Sequence, residues 1–313
     1  MRPVRFLALA ACLAASLAAA QTAPTKPVKL VLAAPTATAE QVARTIVPRL
    51  GEAIGQPVAI DTAGGAQAVA KAAPDGTTLL LATPSLAAVS ALQPNLPYGG
   101  LKAFAPVGRV AMEPLVVVAT ATLSMSSLPE FIALAKANPG LINYASPGVG
   151  SPSYLAAEHF KSVATVQLAH LPAKSTDAAI ADVVAGRAKI AFAGFGAVDA
   201  ALRAGKLRAL AVTGPSRLAL LPDVPTMRES GMVDYDLTGW YGVLVPAATP
   251  KATIDRLNAD LRKAVQAPDV RDKLTALLGA EPRVSTPEEL GAELRREVAL
   301  FERLARELNL KVE

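Results

Sequence analysis

Apolar runs of strand length alternate with amphipathic stretches of helical length along most of this chain. Residues 28–34 form the first apolar run. The stretch that follows carries apolar residues at the spacing of one helix face, at Val42, Ile46, Leu50 and Ile54. This alternation is typical of α/β proteins built on parallel sheets. Further strands are predicted at residues 58–61, 77–82, 106–110, 115–122, 142–145, 167–171, 188–193, 207–212 and 239–245.

Several helix starts are marked by capping residues. Three threonines are each followed, three positions later, by Gln or Glu, which is the pattern of a capping box. These pairs are Thr38 with Gln41, Thr226 with Glu229, and Thr286 with Glu289. Ser151 and Thr249 each precede a proline that suits the first turn of a helix. Helices are expected to begin at these five places, and two more are predicted at residues 128–137 and 176–185.

The first twenty residues have the pattern of a secretory signal peptide. Arg2 and Arg5 precede an apolar stretch at residues 6–17, and three alanines supply the small-residue cleavage pattern before Gln21. The stretch is too short to span a bilayer. We therefore expect residues 1–20 to be removed and the protein to be periplasmic. A second interpretation treats Cys12 as the lipidated residue of a lipobox, which would anchor the protein to a membrane.

Composition narrows the function. Cys12 is the only cysteine, so cleavage before Gln21 leaves no thiol for a disulfide or for catalysis. Loss of Arg2 and Arg5 lowers the formal net charge by two, from +5 to +3, and aromatic residues make up 4% of the chain. Without a basic cluster or a stacking platform, no nucleic-acid partner is expected. Two histidines without cysteine or a paired acidic motif predict no metal site, and no cofactor motif is found.

Four segments resemble the Bug family, the extracytoplasmic receptors of tripartite tricarboxylate transporters. Residues 205–231, a predicted strand followed by Pro222, Pro225 and the Thr226 cap, closely resemble the LPDVPT segment of the family. The other three are YASPGVGSPSYLAAEHF, HLPAKSTDAAIADVVAG and KAAPDGTTLLLAT, at residues 144–160, 170–186 and 71–83. The resemblance implies the α/β type II periplasmic binding protein fold, with two doubly wound α/β lobes, a cleft and two hinge strands.

This architecture implies a discontinuous first domain. We expect residues 21–124 and 242–313 to form domain 1, and residues 125–241 to form domain 2. The chain would cross between them near residues 122–127 and 235–241. A monomer is expected. Ligand would lie in the cleft between the lobes, where strand ends meet helix starts and where helix N–H groups favour an anion.

The predicted ligand residues follow the strand ends. They are Pro35, Thr36, Ala37, Thr38, Gly64, Ser85, Ser146, Gly148, Val149, Gly150, Ser151, Pro172, Ala173, Lys174, Ala193 and Gly194. The loop from Ser146 to Ser151 is the strongest candidate, because its two glycines allow close backbone approach and its serines add hydroxyl donors. The chain departs from the family pattern in these loops, with Thr36 and Ala37 in place of two glycines and with Ala173 in place of an aromatic residue.

Other polar residues have simpler structural interpretations. Lys174 is either a neutralising group for an anion or an exposed lysine, and Glu40 favours the dipole of its helix. His159, His170 and Trp240 are expected to serve packing. An enzyme is not expected, since the chain has no Gly-x-Ser-x-Gly elbow and no Walker A loop. A serine-type hydrolase would require His159 or His170 beside the hydroxyl of Ser146 or Ser151.

The expected function is therefore that of an extracytoplasmic receptor. It would capture a small organic anion, a carboxylate or an amino acid, and deliver it to the large and small membrane subunits of a tripartite transporter, as the resemblance implies. The alternative is a receptor-like protein whose altered ligand loops serve sensing or interaction.

Overall fold

The computed structural model describes residues 27–93, 95–235 and 237–308. The predicted signal peptide, Cys12 and the cleavage site before Gln21 lie outside these residues. The strands are β1 (Val28–Leu32), β2 (Val58–Asp61), β3 (Thr78–Ala82), β4 (Phe104–Glu113), β5 (Leu115–Thr120), β6 (Asn143–Ser146), β7 (Ala169–Pro172), β8 (Ile190–Gly194), β9 (Leu207–Val212) and β10 (Gly239–Pro246). The helices are α1 (Ala37–Ile54), α2 (Gly65–Ala70), α3 (Pro84–Leu92), α4 (Leu128–Ala137), α5 (Pro152–Ala164), α6 (Thr176–Val184), α7 (Phe195–Arg203), α8 (Lys251–Gln266), α9 (Pro268–Leu278) and α10 (Pro287–Leu308).

The strands form two five-stranded sheets, in the orders β2-β1-β3-β10-β4 and β7-β6-β8-β5-β9. In the first sheet β1 runs parallel to β2 and β3, and β10 runs antiparallel to β3 and β4. The second sheet repeats this plan, with β6 parallel to β7 and β8 and with β5 antiparallel to β8 and β9. The predicted α/β class with two lobes is confirmed.

The two crossings between the sheets are short. β4 belongs to the first sheet and β5 to the second, so the chain passes from one to the other at Pro114. The predicted crossing at residues 122–127 is too late, because the apolar run 115–122 supplies β5, which pairs with β8 and β9. The chain returns to the first sheet with β10, which begins at Gly239.

The buried apolar side chains form three clusters around the two sheets. One cluster contains Leu80 of the first sheet, Val117 of the second, and Phe301 of α10, so it joins the two lobes on the side where α10 lies. Two further clusters cover the other face of each sheet. Trp240 of β10 is fully buried, as expected, and its Nε1 donates a hydrogen bond to Glu297 Oε1 at 2.7 Å.

Several predicted caps are confirmed. Ser151 Oγ accepts the Tyr154 N–H at 3.2 Å, and Thr286 and Glu289 form both hydrogen bonds of a capping box. Thr226 and Glu229 form the same two hydrogen bonds. The segment that they begin consists of turns, however, so the helix predicted there is wrong.

Two other predicted helix starts are also wrong in detail. Thr36, and not Thr38, caps α1, because its Oγ1 accepts the Ala39 N–H at 3.1 Å. Pro250 is the N-cap residue of α8, with no side-chain hydrogen bond, so Thr249 does not cap it. The sequence pattern did not predict α2, α3, α7 and α9. None of these four helices has a side-chain N-cap hydrogen bond. Among the helices of the described part of the chain, none has both the length and the apolar character needed to cross a membrane.

Candidate functional site

The predicted ligand loops follow the carboxyl ends of parallel strands in both sheets. In the first sheet, β1 leads to Pro35 and β3 leads to α3, which contains Ser85. In the second sheet, β6, β7 and β8 lead to the loops at Gly148, Lys174 and Gly194. Since these strands are parallel within each sheet, each set of loops gathers at one edge. Such an edge is where ligands bind in open α/β sheets.

The first loop presents the N-terminus of α1, an 18-residue helix. Pro35, Thr36 and Ala37 are exposed, and the Thr36 hydroxyl uses one acceptor position for the Ala39 N–H. The first-turn N–H groups and the helix dipole favour an anion at this point. Glu40 in the same turn lies 3.6 Å from Arg44 on an exposed face.

In the second loop of this lobe, the carboxylate of Asp61 binds the loop's own backbone N–H groups. Asp61 Oδ1 accepts the N–H groups of Ala63 and Gly64, at 2.9 and 3.1 Å. These two hydrogen bonds hold the pKa of Asp61 below its usual value. Gly64 therefore has its N–H engaged within the loop, and α2, which follows, has only six residues.

The loop from Ser146 to Ser151 is held by its own hydroxyl groups. Ser146 is fully buried, and its Oγ accepts the Gly148 N–H at 3.3 Å. Ser151 Oγ donates to the Gly148 carbonyl at 2.7 Å and also caps α5. Gly148 and Gly150 have φ angles of 120° and 84°, which only glycine adopts without strain. Between them, Val149 is exposed.

His170 supports this loop from β7. Its Nε2 lies 2.8 Å from Ser146 Oγ, and its ring stacks on Tyr144 with centroids 4.9 Å apart. Burial lowers the pKa of His170, while Glu158 opposes this shift. The sequence predicted packing for this histidine, and the structure adds its hydrogen bond to Ser146. His159, predicted in the same way, is buried against the Tyr235 ring, with centroids 4.7 Å apart.

A buried polar network lies beneath His170, which sequence reasoning missed. The Tyr144 hydroxyl donates a short hydrogen bond to Glu158 Oε1, and Lys161 Nζ lies 2.8 Å from the same oxygen. Glu158 is 2% exposed. The only sequence signal was the i, i+3 spacing of Glu158 and Lys161 on one helix face. The network fixes Tyr144 and therefore the ring on which His170 rests.

The loop after β7 joins the same edge. The Ala173 N–H donates to the Ser146 carbonyl at 2.9 Å, which continues the pairing of β6 with β7. Pro172 and Lys174 are exposed, and Ser175 caps α6 by accepting the Ala178 N–H. Lys174 is thus an exposed cation in the loop that pairs with the end of β6.

The end of β8 meets residues of the first lobe. Ala193 is buried, and Gly194 packs so closely on Glu113 that an added Cβ would overlap the Glu113 carboxyl group. Glu113 in turn interacts with the Tyr241 hydroxyl, which also interacts with Thr38 of α1. Burial raises the pKa of Glu113 to about 7. These contacts connect Thr38 and Gly194, which are predicted ligand residues of different lobes, through Tyr241 and Glu113.

Sequence reasoning did not single out Glu113 or Tyr241. The available signal was a carboxylate directly before a proline, Glu113 before Pro114, between two apolar runs. The signal is weak on its own, since it identifies neither the crossing nor the partners.

A separate cavity of about 650 Å³ lies on the side of α10. It is lined by residues of β4, α10 and the segment that returns from β9, and it includes the ion pair of Arg109 with Glu293 at 2.7 Å. Among the described residues, none of the predicted ligand residues lines this cavity. No group of three or more His, Cys, Asp or Glu side chains within the described ranges is arranged to hold a metal ion.

Two doubly wound lobes, two crossings and loops gathered at the strand ends define a bilobed solute-binding protein. The chain matches the model of the tripartite tricarboxylate transporter family receptor over residues 42–310, and it belongs to this family. It is 32% identical to the protein BugT of Bordetella pertussis over 302 residues, which cover 94% of this chain and 92% of BugT. The resemblance to the Bug receptors is thereby confirmed.

Solved structures agree with this assignment. MatC of Rhodopseudomonas palustris with bound malate is 29% identical, with a TM-score of 0.74 over 90% of this chain and 99% of MatC. The R. palustris protein Rpa4515 with adipate is also 29% identical, with a TM-score of 0.76 over 90% of this chain and 97% of Rpa4515. The family is one of solute-binding receptors.

Proposed function

We propose that this receptor captures a small organic anion, a carboxylate or an amino acid, between its two lobes. Support comes from the family, since MatC is solved with malate and Rpa4515 with adipate. The observation that carries the proposal is the set of contacts from Thr38 through Tyr241 and Glu113 to Gly194, which links predicted ligand loops of both lobes. A ligand touching both loops would hold the lobes closed by a hinge motion.

The binding groups in this proposal are mainly backbone N–H groups and hydroxyls. The exposed start of α1 and the glycine loop before α5 supply N–H groups to the two ends of an elongated anion. Lys174 supplies a nearby positive charge. Capture by such groups favours a carboxylate over a neutral molecule, because the N–H groups and helix dipoles interact more strongly with negative charge.

The partners in this proposal are the large and small membrane subunits of a tripartite tricarboxylate transporter. The receptor works in the periplasm after removal of residues 1–20. It performs no chemistry on its ligand, and it needs no cofactor.

A serine hydrolase is the second candidate, because His170 Nε2 lies 2.8 Å from Ser146 Oγ. Two observations make this pair structural in our proposal. Ser146 is fully buried, and His170 packs against the rings of both Tyr144 and Tyr154. Incubation with p-nitrophenyl esters tests the hydrolase directly. Ester cleavage by the wild type that is lost in Ser146→Ala would contradict our proposal.

Titration calorimetry tests the receptor. The protein is expressed with its full sequence, purified after export, and titrated with malate, adipate, citrate, amino acids and aromatic acids. Matched neutral molecules, such as 1,6-hexanediol for adipate, serve as controls. We expect one carboxylate class to bind and to raise the apparent melting temperature by mass action. If the diol binds as well as the diacid, or no anion binds, the proposal is wrong.

A further inference from the structure

Glu113 stands at the junction of the two lobes. It is the last residue of β4, and Pro114 then carries the chain into the second sheet. Its carboxyl group contacts Gly194 at the end of β8 and interacts with the Tyr241 hydroxyl of β10. The same hydroxyl interacts with Thr38 in the first turn of α1. The carboxyl group therefore lies between the ligand loops of both lobes, where hinge closure would bring an anion.

Two glycines pack closely against Glu113, one against its carboxyl group and one against its backbone. A Cβ on Gly194 would overlap Glu113 Oε1, and a Cβ on Gly239 would lie 2.5 Å from the Glu113 carbonyl oxygen. Both glycines have room for a hydrogen atom only. Neither position has a φ angle in the left-handed region, so glycine is needed here for space and not for backbone conformation.

The groups that face the Glu113 carboxyl come from three elements. They are Tyr241 on β10, Gly194 on β8 and, through Tyr241, Thr38 on α1. Only Tyr241 of these titrates, and burial raises its pKa well above the usual value, so it stays a neutral donor. Burial, opposed by the Tyr241 hydrogen bond, places the pKa of Glu113 at about 7. Glu113 is thus divided between its two protonation states near neutral pH.

We propose that Glu113 is the specificity-determining acid of the cleft: in its protonated form it donates a hydrogen bond to a carboxylate of the bound ligand. The inference rests on the proposed function. An ionised Glu113 would repel a ligand carboxylate at this partly buried site, whereas the protonated group forms a charge-assisted O–H···O⁻ hydrogen bond. The proton comes from solvent: a Glu113 carboxylate that is ionised in the free receptor takes up one proton as the ligand binds, and that O–H bond is the only bond formed.

This linkage predicts a defined pH dependence. Only the protonated fraction of the receptor binds, so the apparent Kd rises as that fraction falls, by about 25-fold between pH 6.5 and 8.5. Burial lowers the pKa of His170, beside the Ser146 loop, from its ordinary value of 6.5, so its titration is centred below this window. Malate and adipate are fully ionised over most of the window, so the ligands do not imitate the effect.

Calorimetry with malate and adipate between pH 6.5 and 8.5 tests the inference, in two buffers with different heats of ionisation. We expect the apparent Kd to rise about 25-fold and the buffers to report proton uptake that is largest at pH 8.5. Glu113→Gln keeps the shape and a neutral donor, so its Kd should vary less than about twofold. Glu302→Gln, at an exposed site on α10, should keep the wild-type profile.

The outcomes separate the two proposals. If no carboxylate binds at any pH, the proposed function is wrong and the inference falls with it. If a carboxylate binds with a pH-independent Kd and no proton uptake, the inference alone is wrong. The inference is also wrong if binding strengthens as the pH rises, or if Glu113→Gln weakens binding more than tenfold at pH 6.5. The wild-type proton count needs no variant, so a misfolded Glu113→Gln protein leaves the test intact.

Discussion

The two principal predicted ligand loops both begin helices, but they use their hydroxyl groups differently. In the first lobe, Thr36 is exposed and its hydroxyl accepts one N–H group of α1. In the second lobe, the hydroxyls of Ser146 and Ser151 are both engaged inside the loop, with His170, Gly148 and the first turn of α5. The first loop is held by the Thr36 cap and by the contact of Thr38 with Tyr241, whereas the second loop is held by a network of its own hydroxyl groups.

This difference suggests different roles for the hydroxyl groups: those of the second loop hold its backbone, whereas that of the first loop is available to a ligand. In the second lobe the serines fix the backbone, so the groups left for a ligand are backbone N–H groups around Val149. In the first lobe the Thr36 hydroxyl retains its donor hydrogen, because a cap uses the oxygen only as an acceptor. We therefore expect side-chain changes in the first loop to alter binding directly. Changes beneath the second loop should alter stability first.

The largest effect is expected from removal of the charge beneath the second loop. Glu158→Ala leaves the Tyr144 hydroxyl and Lys161 without their buried partner. Breaking such a pair costs about 3–5 kcal/mol. Urea unfolding should therefore show a large fall in stability. Glu302→Ala, at an exposed position of α10, should change stability by less than about 0.5 kcal/mol. A Glu158→Ala protein as stable as this control would show that the network does not hold the lobe together.

A smaller effect is expected where the second loop bends. Gly150→Ala forces a left-handed φ of 84° on a residue with a side chain, although nothing lies within 4 Å of the new Cβ. The strain should cost about 1–3 kcal/mol. Gly140→Ala is the matched control, since its φ is 74° and its Cβ also meets open space. Both variants should lose similar stability in urea, but only Gly150→Ala should weaken malate or adipate binding in calorimetry. If both variants bind the ligand with equal affinity, the Ser146 to Ser151 loop does not contact the ligand.

Sequence patterns predicted the scaffold better than the site, for physical reasons. β2 and α4 were predicted with their observed bounds, because an apolar run or a capped amphipathic stretch is a local property. Glu113 was missed because its partners Tyr241, Thr38 and Gly194 come from distant parts of the chain. Nothing in the local pattern around Glu113 indicates that three other elements converge on it.

The errors at helix starts have a related cause. Thr36 and Thr38 both fit a cap, and only the backbone path after Pro35 decides that Thr36 is the one. α7 begins at Phe195 without any capping side chain, so no local signal marked it. The crossing at Pro114 was misplaced because the apolar runs of β4 and β5 follow one another directly. Which sheet each run joins depends on tertiary pairing.

Replacement of the cap in the first loop tests its double role. Thr36→Val removes a cap that accepts the Ala39 N–H at 3.1 Å, and Thr286→Val removes a cap that accepts the Glu289 N–H at 3.1 Å on α10. Each should cost about 1 kcal/mol in urea unfolding. In calorimetry, Thr36→Val should bind malate or adipate about tenfold more weakly, the loss expected for one hydrogen bond to a charged group. Thr286→Val should bind as the wild type does. If Thr36→Val and Thr286→Val bind with the same Kd, Thr36 caps the helix but does not contact the ligand.

The smallest effect is expected from His170, through pH. Its folded pKa is lowered by burial, below the ordinary value of 6.5, so the unfolded chain binds a proton more readily than the folded one. The sign follows from linkage: this contribution to stability is present above pH 6.5 and is lost as the pH falls through the folded pKa. Thermal melts at pH 7.5 and 5.5 should therefore show a larger decrease for the wild type than for His170→Gln, whose amide can still bond to Ser146 but does not titrate. Lys174→Gln, at an exposed position of the neighbouring loop, serves as the control and should keep the wild-type decrease. If His170→Gln loses as much stability on acidification as the wild type, proton binding at His170 does not weaken the support of the second loop, and the contrast between the lobes rests on packing and on Glu158 alone.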